Sequence, residues 1–291
     1  MSEILTDVLL DTIKDTATLI PFLFITYLAM EWLEEKTEDQ SVALLSRVGK
    51  ARHLIAAGIG LVPQCGFSAA AASLFSGGVI TVGTMLAVFL STSDEMLPIF
   101  LSSAVAPGTI AKILGCKFAI ALMSGLVVDL LFRVLNVQFG SNKHIHDLCE
   151  HDHCGCEEDE GSILRSALVH TLKIGAFIFL ASLILGLTVE TYGLEAAEAV
   201  LAGAPVLGTF ICGLVGLIPN CAASVVIAEL YLEGMITSGQ MMAGLSVAAG
   251  VGVLVLCRTN RNRKENLAII AMLYFIGVLW GLALDILNVT F

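Results

Sequence analysis

The chain alternates long apolar stretches with short polar interruptions. Apolar runs close to or above ~18 residues recur, the length that crosses a bilayer as a helix. The pattern predicts long helices over 10–34, 108–135, 162–189 and 264–288. Shorter apolar pieces fall between the first two, at 52–63, 66–77, 79–91 and 95–106. Others fall between the last two, at 195–203, 206–218, 222–233 and 236–256. Several of these have only about a dozen residues, roughly 18 Å of helix against a hydrocarbon core of ~30 Å. They read as half-helices, either re-entrant hairpins or the two parts of an interrupted span.

Composition narrows this to one class. Hydrophobic residues make up 57% of the 291 positions, charged residues 14%, and the mean hydropathy is +0.89. An ordinary soluble domain carries roughly 25% charged residues. The expected fold class is therefore an all-α polytopic membrane protein, with the bilayer as its first partner. A β-barrel would need short alternating strands, which the pattern lacks. The start, "MSEILTDVLLDTIKD", has no basic segment ahead of an apolar one, which argues against a cleaved leader. The formal charge of −11 argues against nucleic acid as a partner. Five of eight cysteines (Cys65, Cys116, Cys212, Cys221, Cys257) lie in or beside apolar segments and three crowd one acidic loop, unlike a secreted disulfide framework.

Laid over itself with Gly60 on Gly216, an offset of 156 residues, the sequence repeats. Gly60, Leu61, Pro63, Cys65, Ser68, Ala72, Leu74, Gly78, Ile80, Thr81, Gly83, Met85 and Ala87 all meet identical residues. The register runs without a gap to "GLVVDLL" (125–131) against "GLALDIL" (281–287). Three regions follow: 1–135, a first transmembrane repeat; 136–161, a polar loop; and 162–291, a second repeat.

Positive charge orients the copies. Lys36, Arg47, Lys50 and Arg52 follow the first helix, Arg133, Lys143 and Arg165 flank the central loop, and Arg258, Arg261, Arg263 and Lys264 precede the last helix. Residues 102–107, 190–204 and the C-terminal tail carry no Lys or Arg. The positive-inside rule places the basic regions in the cytoplasm and both termini outside a plasma-membrane protein. The loop ahead of the first repeat's Pro-x-Cys is basic and its counterpart is not, so the repeats are inverted about the membrane plane. Inverted repeats with broken helices at mid-membrane describe secondary transporters, with the substrate site where the repeats meet.

Four constellations carry candidate chemistry. In "GLVPQC" and "GLIPNC", a proline breaks a helix in each half and leaves backbone groups without helical partners. Such backbone is tolerated at membrane depth only inside protein or along a wet cavity. With Gln64, Cys65, Ser68, Asn220, Cys221 and Ser224, the breaks offer amides, thiols and hydroxyls to a substrate; the alternative is kinks that merely permit packing. "LSTSDEMLPI" (90–99) puts Ser93, Asp94 and Glu95 in an apolar run, without carboxylates at the equivalent positions. Intramembrane carboxylates usually mark ion pathways, and Asp94 is the leading candidate for contacting a cation; a solvated turn is the alternative. Asp129 and Asp285 are mirrored inside long helices, with His170 and Asp15 near matched depths. These four either relay protons or lock helices together, and helix locking is the simpler reading. The loop 142–161 gathers His144, His146, Cys149, His151, His153, Cys154 and Cys156 among carboxylates. Imidazole and thiolate suit first-row transition metals, but the spacing lacks the Cys-x2-Cys pairs of a structural zinc site. A metal-collecting loop fits better than a fixed site, with an acidic linker as the alternative.

The paired "GLVPQCGFSAAA" and "GLIPNCAASVVI", with "TSDEMLPI", "IPFLFITYLAMEWLEE" and "HTLKIGAFIFL", resemble the heavy-metal exporters described as ten-helix permeases. That family is grouped by name with arsenic efflux proteins and also labelled as manganese transporters. The resemblance implies a transporter rather than an enzyme. It carries a substrate role onto Pro63, Gln64, Cys65, Ser93, Asp94, Glu95, Pro219, Asn220 and Cys221.

The expected function is export of a divalent transition metal, Mn²⁺-like or heavier, by alternating access with proton coupling. The metal is cargo, with no permanent cofactor. Carboxylate, amide and carbonyl oxygens suit Mn²⁺ and thiolates a softer ion. An arsenite or organoarsenical permease using Cys65 and Cys221 as thiolates is the second reading. A homodimer is compatible with either. An intramembrane metalloprotease is disfavoured because no His-Glu-x-x-His motif lies in a span.

Overall fold

The computed structural model describes residues 51–93, 96–136 and 205–291, with helical residues scattered between 8 and 28 and between 164 and 184; the side chains of Pro205, Cys221 and Ala222 are outside this description. The helices are α1 (Arg52–Gly60), α2 (Gly66–Ser76), α3 (Val82–Ser91), α4 (Met96–Ser102) and α5 (Pro107–Val134) in the first half. The second half has α6 (Pro205–Gly216), α7 (Cys221–Leu232), α8 (Ser238–Val247), α9 (Val251–Thr259) and α10 (Arg263–Ile286). The described residues contain no strand. The short helices expected around both Pro-x-Cys motifs are present. The helix expected unbroken over 236–256 is not: Ala248, Ala249 and Gly250 separate α8 from α9, and Gly250 turns the chain at φ 51°.

Local chemistry sets these boundaries. Thr81 caps α3, its hydroxyl accepting the Thr84 amide at 3.3 Å. Thr237, at the equivalent position, caps α8 and completes a reciprocal pair with Gln240. The turn before each cap uses a glycine at positive φ, 74° at Gly78 and 75° at Gly234. At the Pro-x-Cys breaks, Gln64 N–H donates to the Val62 carbonyl (2.8 Å) and Asn220 N–H to the Ile218 carbonyl (2.7 Å). These are three-residue turns centred on Pro63 and Pro219, whose fixed φ suits that geometry. Each turn takes the amide away from its helical acceptor, Gly60 or Gly216.

Packing repeats at the same offset. A Cβ on Gly83 would collide with the Gly125 carbonyl and Asp129, and one on Gly239 with the Gly281 carbonyl and Asp285. One on Gly60 would collide with Ser91 and the Val88 carbonyl, and one on Gly216 with the Gly244 carbonyl. Glycine at these positions thus lets α1–α3–α5, and equally α6–α8–α10, approach backbone to backbone. The halves also exchange elements: α2 lies on α9, and α7 on α4. Ser124 and Trp280, themselves equivalent positions, meet directly, the indole N–H donating to the hydroxyl at 2.9 Å.

Four stretches among the described residues are long and apolar enough to cross a membrane: Val82–Ser102, Pro107–Val134, Ser238–Thr259 and Arg263–Ile286. The two that contain breaks are the buried ones, 75% and 89%, against 39% and 33% for the continuous α5 and α10. Irregular backbone is hidden in protein, as a lipid environment demands. The continuous helices present Leu126, Val127, Leu130, Leu267, Phe275 and Leu279 outward, the surface a bilayer covers. Two clusters of buried side chains fill the interior. One joins Phe75, Met85 and Phe89 to Val247 and Leu256, the other Met96, Phe100 and Ile113 to Ile227 and Leu245, so each draws on both halves.

Candidate functional site

The backbone breaks are the places where polar groups enter this interior. α1 and α3 run side by side and end together, Gly60 lying against Val88 and Ser91. Beyond them the Ser93 hydroxyl donates to the Leu61 carbonyl at 2.8 Å, tying the break at Thr92–Ser93 to the Pro63 break. Ser93 is buried, while Gln64 and Cys65 are half-buried and Val62 and Pro63 exposed. Ser68, fully buried, returns its hydroxyl to the Cys65 carbonyl at 2.8 Å and bonds the first turn of α2. Its Cβ packs on Gly252, the second residue of α9. The Ser76 hydroxyl meets that of Thr259 at 2.7 Å near the far ends of the same two helices. α2 and α9 therefore leave their breaks in parallel, and the Pro63 and 248–250 breaks lie side by side. Cys65 of one Pro-x-Cys break and Leu217 of the other pack against the same buried cluster.

Of the candidate ligands, then, the structure ties Ser93 to the Leu61 carbonyl, two residues before Pro63, and turns Ser68 back onto the Cys65 carbonyl. In the second half Asn220 is half-buried and Ser224 buried, each at the position equivalent to its first-half partner. The side chain of Cys221 is outside the description, as are Asp94 and Glu95. So are Asp15, His170 and the loop residues His144, His146, Cys149, His151, His153, Cys154 and Cys156. Among the described residues no group of three or more His, Cys, Asp or Glu side chains is gathered as a ready-made metal site. The described groups here are amide, hydroxyl and carbonyl oxygens and the Cys65 thiol.

The mirrored aspartates hold helices together. Asp129 accepts the Gly83 amide at 2.9 Å with one oxygen. With the other it accepts Thr81 (2.6 Å), Arg52 (2.9 Å) and His53 (2.8 Å). It thereby fastens α5 to the start of α1 and to the N-terminus of α3, where a negative charge is favoured. Asp285 accepts the Gly239 amide at 3.0 Å and, weakly, the Thr209 hydroxyl at 3.4 Å. Arg52 and His53 align with Gly208 and Thr209, so the second copy lacks the guanidinium and imidazole of the first. Both carboxylates therefore bridge helices within their own half.

Residues 1–193 match the family described as "Putative, 10TM heavy-metal exporter". The chain belongs to that family. No curated protein and no solved structure matches it. Membership makes the chain a multi-pass protein of a heavy-metal exporter family, as the composition and motifs led us to expect, and agrees with a transporter rather than a catalyst. A multi-pass membrane protein turns apolar side chains such as the exposed Leu130, Leu267 and Phe275 to lipid.

Three features were missed in the sequence. Lys117, in the middle of α5, is fully buried and donates to the Leu245 carbonyl at 2.7 Å. An ionisable residue inside "GCKFAIALMSG" was signal enough. The pairing of Arg52 and His53 with Asp129 spans 77 and 76 residues and has no local signature. The 248–250 break was hidden by an uninterrupted apolar run, with only Gly250 as a marker.

Proposed function

We propose that the protein exports a divalent transition metal, Mn²⁺-like or somewhat softer, through the centre where the broken helices meet. The observation that carries this reading is the bond from Ser93 to the Leu61 carbonyl, together with the packing of α2 on α9. It puts the Pro-Gln-Cys turn beside the end of α3 at Thr92–Ser93. Carbonyls released from helical bonding, the Gln64 and Asn220 amides and the Ser68, Ser93 and Ser224 hydroxyls supply neutral oxygen. Asp94 and Glu95, next in sequence to Ser93, supply charge, and Cys65 and Cys221 a soft component. The halves act as inverted repeats that rock about this centre, exposing it to each side in turn. The basic segments at 47–52 and 258–264 face the cytoplasm, and the His/Cys loop collects metal there. Asp129 and Asp285 fix helices within each half so that each moves as a body.

Efflux from metal-loaded proteoliposomes tests the reading. Wild-type protein should export Mn²⁺. Asp94→Asn should lose at least tenfold in rate, and the Cys65→Ser/Cys221→Ser pair should shift preference towards Mn²⁺ over Zn²⁺. Arsenite export abolished in the paired thiol variant, with no Mn²⁺ export by wild type, would replace this reading with a thiol-based arsenic permease.

A further inference from the structure

Lys117 lies at the same depth as the breaks. Asp129 meets Gly83, and Gly125 meets Gly83 and Ala87, so α5 runs antiparallel to α3. Twelve residues back from Asp129, about 18 Å at ~1.5 Å per residue, brings α5 level with the end of α3 at Ser91–Ser93. On the other side Lys117 meets Leu245, two residues before the end of α8. The bond is specific to the 248–250 break. In a continuous helix the Leu245 carbonyl would accept the Ala249 amide, but Ala249 donates to Val247 at 2.7 Å. Lys117 takes up the carbonyl so released and links the first half to the second. It has no mirror image: Leu273 stands at the equivalent position.

α3, α4 and α8, which line the breaks, contain no Asp, Glu, Lys, Arg, His or Cys. α1 brings Arg52 and His53, both held by Asp129 at the far end of the unit. α10 brings Asp285, engaged by Gly239, and Arg263, Lys264 and Glu265 in its first turn. On α5 itself Cys116 adjoins Lys117, and Lys112 and Arg133 lie towards the ends. Asp94 and Glu95 follow Ser93 in sequence.

We propose that Lys117 is the proton-carrying residue of the export cycle. This inference rests on the cation-export reading. Between transport events the protonated amine donates to the Leu245 carbonyl and latches α5 to α8. A divalent cation entering the same low-dielectric centre repels the ammonium. Lys117 then gives its proton to water on the cytoplasmic side, and the neutral amine holds Leu245 more weakly. After the metal leaves on the outer side, a proton from that side restores the ammonium and the latch. One proton moves inward through this residue for each metal ion moved outward.

Proteoliposomes of the full chain, loaded with Mn²⁺ and subjected to imposed pH gradients, test this. Wild-type export should quicken at least several-fold when protons run inward as metal runs outward. In Lys117→Gln the rate should no longer respond to the pH gradient. Lys117→Arg, which keeps the donor and the charge but cannot release its proton, should export at least tenfold more slowly while eluting as wild type on gel filtration. A full pH-gradient response in Lys117→Gln, or wild-type export by Lys117→Arg, overturns the role of Lys117 and leaves the export reading intact. Absence of Mn²⁺ export by the wild type overturns both. If Lys117→Gln does not fold, the arginine variant decides.

Discussion

Replacing each mirrored aspartate by asparagine separates what the two copies do. In Asp129→Asn the carbamoyl oxygen keeps the Gly83 amide but turns a charge-assisted bond into a neutral one, at about 1 kcal/mol. The new NH2 faces Arg52 and His53, both donors to the carboxylate in the charged pair. Arg52 is 34% exposed, so water screens its loss of a counter-ion to about 1 kcal/mol. The His53 side chain is 4% exposed and must reorganise its bond, at up to about 1 kcal/mol. The total is about 2–3 kcal/mol. In Asp285→Asn only the Gly239 amide bond weakens appreciably, because the Thr209 contact is already long at 3.4 Å, and the cost is about 1 kcal/mol. At roughly 2–4 °C per kcal/mol for a chain of this order of size, the thermal midpoint in detergent should fall by about 5–10 °C for Asp129→Asn. For Asp285→Asn the fall should be about 2–4 °C. Adding Arg52→Gly and His53→Thr to Asp129→Asn transplants the second-half residues and should recover part of the loss. Equal midpoints for the two asparagine variants would refute the assignment of charge-pair locking to the first half alone.

Gly239→Ala should destabilise by about 3 kcal/mol or more, since its Cβ would meet the Gly281 carbonyl and Asp285 rather than a flexible side-chain tip; detergent thermal shift reads this, and Gly58→Ala, where nothing lies within 4 Å, is the control. Ser93→Ala removes the donor to Leu61 and should cost about 1 kcal/mol in stability, with a larger effect on export rate than the same-sized change Ser102→Ala, whose hydroxyl serves only its own helix.

Much of the architecture was legible because the bilayer leaves few options. Apolar pieces too short to span had to be parts of something interrupted, and Pro63 and Pro219 marked where. The repeat fixed equivalent boundaries: Thr81 and Thr237 cap helices that begin at equivalent residues, 82 and 238. The break at Ala248–Gly250 escaped notice because no proline or charge interrupts "SVAAGVGVLV". There the chain is turned by one glycine at positive φ and stabilised by a lysine 128 residues away. Asp129 and Asp285 were recognised by their mirroring, but a partner such as His53, buried and distant in sequence, emerges only once α1 lies against α5. The oxygen and thiol sets at the two Pro-x-Cys turns were readable as residue types. The relation of the Pro63 turn to Ser93 depends on Gly60 admitting α3 at backbone distance, which no local pattern encodes.

Where a metal ion sits tests the proposed centre most directly. Anomalous diffraction from crystals of the full chain grown with Mn²⁺ should give a peak beside the Ser93–Leu61 contact, between the Pro63 and Pro219 turns. A peak confined to the 142–161 loop, with none between the turns, would contradict it.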